Sequence, residues 1–170
     1  MRVLVAAMLC AIAASAHGAP ADDLAAVEKT PPVFIVGDRS DESVQFIDVG
    51  RVLRLDDGTL ATHNYVVLKD PRYANGRAWS YGDLVVQYDC RSGTIVVRSG
   101  LLIGEDFAQV GALQLPAGGR RWVAADDPDV ARTYGYPDLC HTGSAPSPLI
   151  GKGEPWRAVA ASLLAGLRTR

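Results

Sequence analysis

The chain has 170 residues, 48% of them hydrophobic, and its 17 Lys and Arg against 19 Asp and Glu give a formal net charge of -2. That length supports one core of ordinary size and points to a single domain. So even a balance lacks the basic face of a nucleic-acid binder and the polybasic patch that seeks anionic lipid, so no nucleic-acid partner is expected.

Met1 to Ala16 places one positive charge, Arg2, before a short apolar run and ends on Ala14-Ser15-Ala16, the layout of a cleavable secretory signal. The run falls short of the roughly 20 residues that cross a bilayer, so residues 1–16 are expected to be removed and to leave no transmembrane segment. Cys10 leaves with them, since Leu9 before it does not suit lipidation. Residues 17–32 read as a flexible lead-in, with Pro20, Pro31 and Pro32 around a short Ala-rich stretch. The expectation is an exported protein of the periplasm, the cell surface or the medium.

From Val33 the pattern is β: Val33–Val36, Ser43–Asp48 and Arg51–Leu55, then an Asp56-Asp57-Gly58 turn into a strand over Thr59–Val67. Leu84–Cys90 alternates, with Leu84, Val86, Tyr88 and Cys90 on one face, which turns Cys90 toward the core. Turns at Arg91-Ser92-Gly93 and Gly104-Glu105-Asp106 give a meander through Thr94–Ile103 and Phe107–Leu115. Arg121–Ala124 predicts an edge strand and Asp129–Tyr136 a helical turn. Residues 141–153, rich in Ser, Pro and Gly, read as a linker. Residues 154–170 predict a C-terminal helix opened by Pro155, with Trp156, Val159, Ala160, Leu163, Leu164 and Leu167 in one apolar stripe. So short a helix needs tertiary support, which favours packing on the sheet over a stripe offered to a partner.

Once Cys10 is gone, Cys90 and Cys140 are the only cysteines, and an oxidising compartment allows them one intramolecular pairing. Closing about 50 residues restricts the unfolded chain by roughly 4 kcal/mol. Neither cysteine belongs to a Cys-x-x-Cys, which argues against a metal site.

Chemistry is sparse. Apart from His17 at the start of the lead-in, His63 and His141 are the only histidines of the mature chain, and no Gly-x-Ser-x-Gly, His-Glu-x-x-His or phosphate-binding Gly-rich loop is present. The acidic groups Asp38, Asp41, Glu42 and Asp126, Asp127, Asp129 lack calcium-loop spacing and read as solvated turn residues. The expectation is a protein without catalytic residues, metal or cofactor. The stretch from Lys69 to Gly82 mixes arginines, aromatics and turn residues, the composition of a recognition loop, with Arg72, Tyr73, Arg77, Trp79 and Tyr81 as its contact residues. The competing reading has Trp79 and Tyr81 starting a strand and filling the core, with Arg72 and Arg77 solvated.

Phe46-Ile47-Asp48, a hairpin, Tyr88-Asp89-Cys90, Arg98, Gly111, Trp122 and a closing Cys140 follow one another in an order that resembles the bacterial surface-adhesin protein E family over residues 33–140. The resemblance implies an α+β fold, a mostly antiparallel sheet of about six strands with a helix and one disulfide, without enzymatic activity. For the adhesin it implies binding to vitronectin, laminin and plasminogen. Two departures stand out: no lipidation cysteine, and Lys29, Lys69 and Lys152 as the only mature lysines for plasminogen kringles. The function expected is that of a non-catalytic exported binding protein with a host matrix, serum or envelope protein as partner. The alternative is an envelope assembly protein that docks its C-terminal helix on a partner or on a second copy.

Overall fold

The computed structural model describes residues 29–113, 123–124, 128–140 and 147–169. Residues 1–16, expected to be a signal, most of the expected lead-in 17–32, Arg120, Arg121, Trp122 and His141 lie outside them.

The strands are β1 (Val33–Arg39), β2 (Ser43–Asp48), β3 (Leu53–Arg54), β4 (Leu60–Ala74), β5 (Arg77–Asp89), β6 (Thr94–Ile103), β7 (Gln109–Ala112), β8 (Val123–Ala124) and β9 (Leu149–Lys152). Among the described residues three helices accompany them: α1 (Pro128–Thr133), α2 (Tyr136–Cys140) and α3 (Trp156–Arg168). The strands form one antiparallel sheet in the order β7-β6-β5-β4-β2-β1-β9, with β3 paired to β4 and β8 to β6. The expected mostly antiparallel sheet, C-terminal helix and Cys90–Cys140 disulfide are all present.

The described residues form nine strands rather than about six. One of the additional strands lies inside residues 141–153, where a linker was expected: β9 pairs with β1 through Val33 opposite Lys152 and Phe34 opposite Gly151. Its four residues are too few to alternate visibly, and backbone hydrogen bonds to β1 hold it. A Cβ at Gly151 would stand 2.9 Å from Glu154 Oε2 and 3.2 Å from the Phe34 ring, so a side chain there would displace Glu154 and press on the core beneath this edge.

Both faces of the sheet are covered. On one, Val159, Ala160, Leu164 and Leu167 of α3 pack on Phe34, Val44, Phe46, Tyr65, Val67, Tyr81 and Ile103. The apolar stripe of α3 is thereby buried against its own sheet, leaving the outward positions to Arg157, Ala158, Ala161, Ser162, Ala165 and Arg168. On the other face, Ala131, Tyr136 and Leu139 of the α1–α2 layer pack on Ile35, Ile47, Val86, Tyr88 and Ile95.

Two buried polar groups fix the second layer and the β2–β3 turn. The Tyr88 hydroxyl lies 2.8 Å from the Tyr134 carbonyl and 3.0 Å from the Asn64 side-chain amide. A phenol has one proton to give. The Tyr88 O–H faces two acceptors, the Tyr134 carbonyl and Asn64 Oδ1, and donates to one of them at a time, while Asn64 Nδ2 is buried without a hydrogen-bond partner among the described residues. Asp48 Oδ1 accepts from the backbone N–H of Val33, Gly50 and Arg51 at 3.1–3.2 Å, closing the turn that follows β2.

Candidate functional site

The stretch from Lys69 to Gly82 is a hairpin, not a loop. Asn75 (φ 51°) and Gly76 (φ 73°) make the two-residue turn, both in the left-handed region that such a turn demands. The Asn75-Gly76 pair is the strongest short-range hairpin signal a sequence carries, and reading the segment by composition alone passed over it. The ladder closes through Ala74 opposite Arg77, Tyr73 opposite Ala78 and Arg72 opposite Trp79.

This hairpin leaves the sheet. Pairing of β4 with β2 ends at Leu68, and pairing of β5 with β6 ends at Tyr81, so residues 69–80 form an arm without lateral strand neighbours. At its base the ladder breaks between Val67 and Arg72, where β4 carries extra residues against β5. The base is held to the body: Lys69 N–H donates to the Glu42 carbonyl at 2.7 Å. Arg168 at the end of α3 reaches both Glu105 and the Lys69 carbonyl, and the buried Ser80 donates to Glu105 at 3.2 Å.

The five residues expected to make contacts separate along the arm. Tyr73 is 73% exposed, the highest value among the large hydrophobic side chains of the described residues. Arg72 and Arg77 are exposed beside it, and Trp79 is half-buried, its ring 4.0 Å from where a Gly82 Cβ would lie. Tyr81 is 2% exposed and stacks on Phe107 at 4.7 Å, inside the α3 face of the core. Tyr81 is therefore corrected from contact residue to core residue, because β5 re-enters the sheet there opposite Ile103.

Cys90, expected to face the core, is exposed, because β5 ends at Asp89 and the chain turns outward. Backbone N–H groups of Arg91 and Ser92 donate to Asp89 Oδ1 in that turn. The disulfide reaches from there to the last residue of α2, and its role is to fasten the α1–α2 layer.

One pair escaped the sequence. His63 Nδ1 and Asp83 Oδ1 are 2.6 Å apart, on the adjacent strands β4 and β5, and only their register brings residues 20 apart in the chain together. His63 is 48% exposed and Asp83 16% at the side chain. Its ring stacks on Tyr65, which stacks in turn on Trp156 of α3. Burial works against the imidazolium, but the hydrogen bond and charge of Asp83, with Asp48 adding and Arg51 opposing, raise the His63 pKa above its ordinary value. A carboxylate-held imidazole is one part of an acid–base apparatus. Among the described residues no hydroxyl or thiol is hydrogen-bonded to the ring as a nucleophile would be. Nor does any group of three His, Cys, Asp or Glu among them stand close enough to hold a metal ion. No helix of the described residues is long and apolar enough to cross a membrane.

Comparison with family models, with curated proteins and with solved structures returns no match.

Proposed function

We propose that the protein is an exported, non-catalytic binding module, similar in role to surface adhesin E, whose contact element is the β4–β5 arm. One observation carries this reading: the arm leaves the sheet and ends beside a tyrosine 73% exposed, flanked by two exposed arginines. A two-stranded ribbon with no third strand is marginal by itself. A fold gains nothing in stability from placing a large aromatic there, whereas tyrosine and arginine at an exposed tip supply contact area and directional hydrogen bonds to a partner. The partners in view are host matrix or serum proteins, with an envelope protein of the same cell as the other class.

The test is binding of the mature protein to immobilised vitronectin and laminin, comparing it with Tyr73→Ser and with a form whose tip residues 72–77 are replaced by Asn-Gly. Both variants keep the body of the sheet, which circular dichroism verifies. Binding that falls about tenfold or more in both supports the arm as the contact element. Binding that both variants retain in full removes the arm from the interface. If the intact protein binds neither matrix protein, adhesion to them is refuted.

A further inference from the structure

The register of the arm sorts its side chains. Residues directly opposite one another share a face, and so do residues two apart along a strand. Arg72 and Trp79 are opposite, as are Ala74 and Arg77, so all four share one face, while Tyr73 and Ala78 share the other. The first face therefore displays two guanidinium groups with the half-buried indole beside them.

Among the described residues neither guanidinium has a hydrogen-bond or ion-pair partner, and both side chains are exposed. The only carboxylate of residues 69–80 is Asp70, which sits at the base within electrostatic reach of Arg168. Beyond that base the arm carries positive charge alone, on a chain whose net charge is -2. Positive charge set apart on a projecting element of a mildly acidic protein is the arrangement that selects an acidic partner and repels a basic one.

The spacing narrows the partner further. Arg72 and Arg77 are diagonal neighbours on the ribbon, so their Cα atoms stand roughly 7–8 Å apart. In an extended peptide, side chains two residues apart point the same way and are spaced by about 6.6 Å, twice the rise of a strand. Carboxylates at alternate positions of an extended segment thus meet both arginines at once, each able to form a bidentate pair. Adjacent carboxylates point to opposite sides and meet only one.

We infer that the Arg72–Arg77 face docks an extended acidic protein segment with Asp or Glu at alternate positions. This rests on the arm being the contact element and adds the chemistry of what it contacts.

The test uses the mature protein and two fluorescein-labelled peptides of equal composition, one alternating Glu with Ser, the other placing the Glu residues in adjacent pairs separated by pairs of Ser. Heparin and vesicles of anionic phospholipid serve as competitors of other classes. The alternating peptide is expected to bind saturably, more tightly than the paired one, and to be released by added salt. Arg72→Glu or Arg77→Glu should weaken it about tenfold or more, while Arg54→Glu, on β3 at the far end of β4, should leave it within about twofold. No binding, equal binding of the two peptides, equal loss in the Arg54→Glu protein, or displacement by heparin or vesicles at lower concentration than by unlabelled peptide would each overturn the inference. If arm variants abolish binding to matrix proteins while the acidic peptide does not bind, the acidic partner falls and the arm remains the contact element. If the peptide binds through the two arginines while binding to matrix proteins ignores the arm, the matrix-protein reading falls instead.

Discussion

His63 shows how little a residue's type says without its neighbours. Read along the chain it is a strand residue between Thr62 and Asn64; in the sheet it is tied to Asp83 and stacked on Tyr65. Because its pKa in the folded protein lies above the ordinary value of 6.5, the pair's contribution to stability is fully present below that pH and is lost as pH rises through the higher folded value. Urea midpoints of the native protein and of His63→Gln, followed from mildly acidic to mildly alkaline pH, should therefore converge as pH rises. An NMR titration should show the His63 pKa falling in Asp83→Asn. A constant gap between the two proteins across that range would remove the pair as a source of pH dependence.

At the scale of elements, α3 was the most legible part of the chain. The spacing of Val159, Ala160, Leu163, Leu164 and Leu167 gives the helix and its apolar stripe, and the need of so short a helix for tertiary support favoured the sheet as its cover. The sheet covers it, and Leu167 is wholly buried against that face. Leu167→Ala should cost about 2–5 kcal/mol, because the hole lies between a helix and a sheet that cannot close on it independently. Chemical denaturation measures this, and a loss below about 1 kcal/mol would mean that the helix is only loosely docked. The arm shows the reverse case. Its turn was written in Asn75-Gly76, whereas its projection follows from where β2 and β6 stop pairing, and no local pattern encodes that.

Taken whole, the molecule is a sheet between two unequal helical layers. The layer formed by α3 follows directly from β9 and is held by the core and by the Arg168–Glu105 pair. The α1–α2 layer is short, eleven residues from the lengths of its two helices, 6 and 5, and the disulfide ends it. Reduction should therefore loosen α1–α2 first and leave α3 docked. Hydrogen exchange should show early loss of protection at Leu139 with Val159 still protected. The melting temperature should fall by on the order of 10 °C if the bridge contributes its roughly 4 kcal/mol. An unchanged melting temperature would show that the two layers stand without it.

Composition and local pattern by themselves determined the antiparallel class, the pairing of Cys90 with Cys140 and the C-terminal helix, because alternation, turn residues and helical spacing act over a few residues at a time. Only the tertiary structure decided the rest. β9 is held by backbone bonds to a partner more than 100 residues away in sequence, from Val33 to Lys152. Tyr81 is core and Tyr73 surface because the sheet's lateral pairing ends between them, and His63 meets Asp83 because two strands align in one register. Such placements depend on which strands lie side by side, and strand order is a property of the assembled sheet.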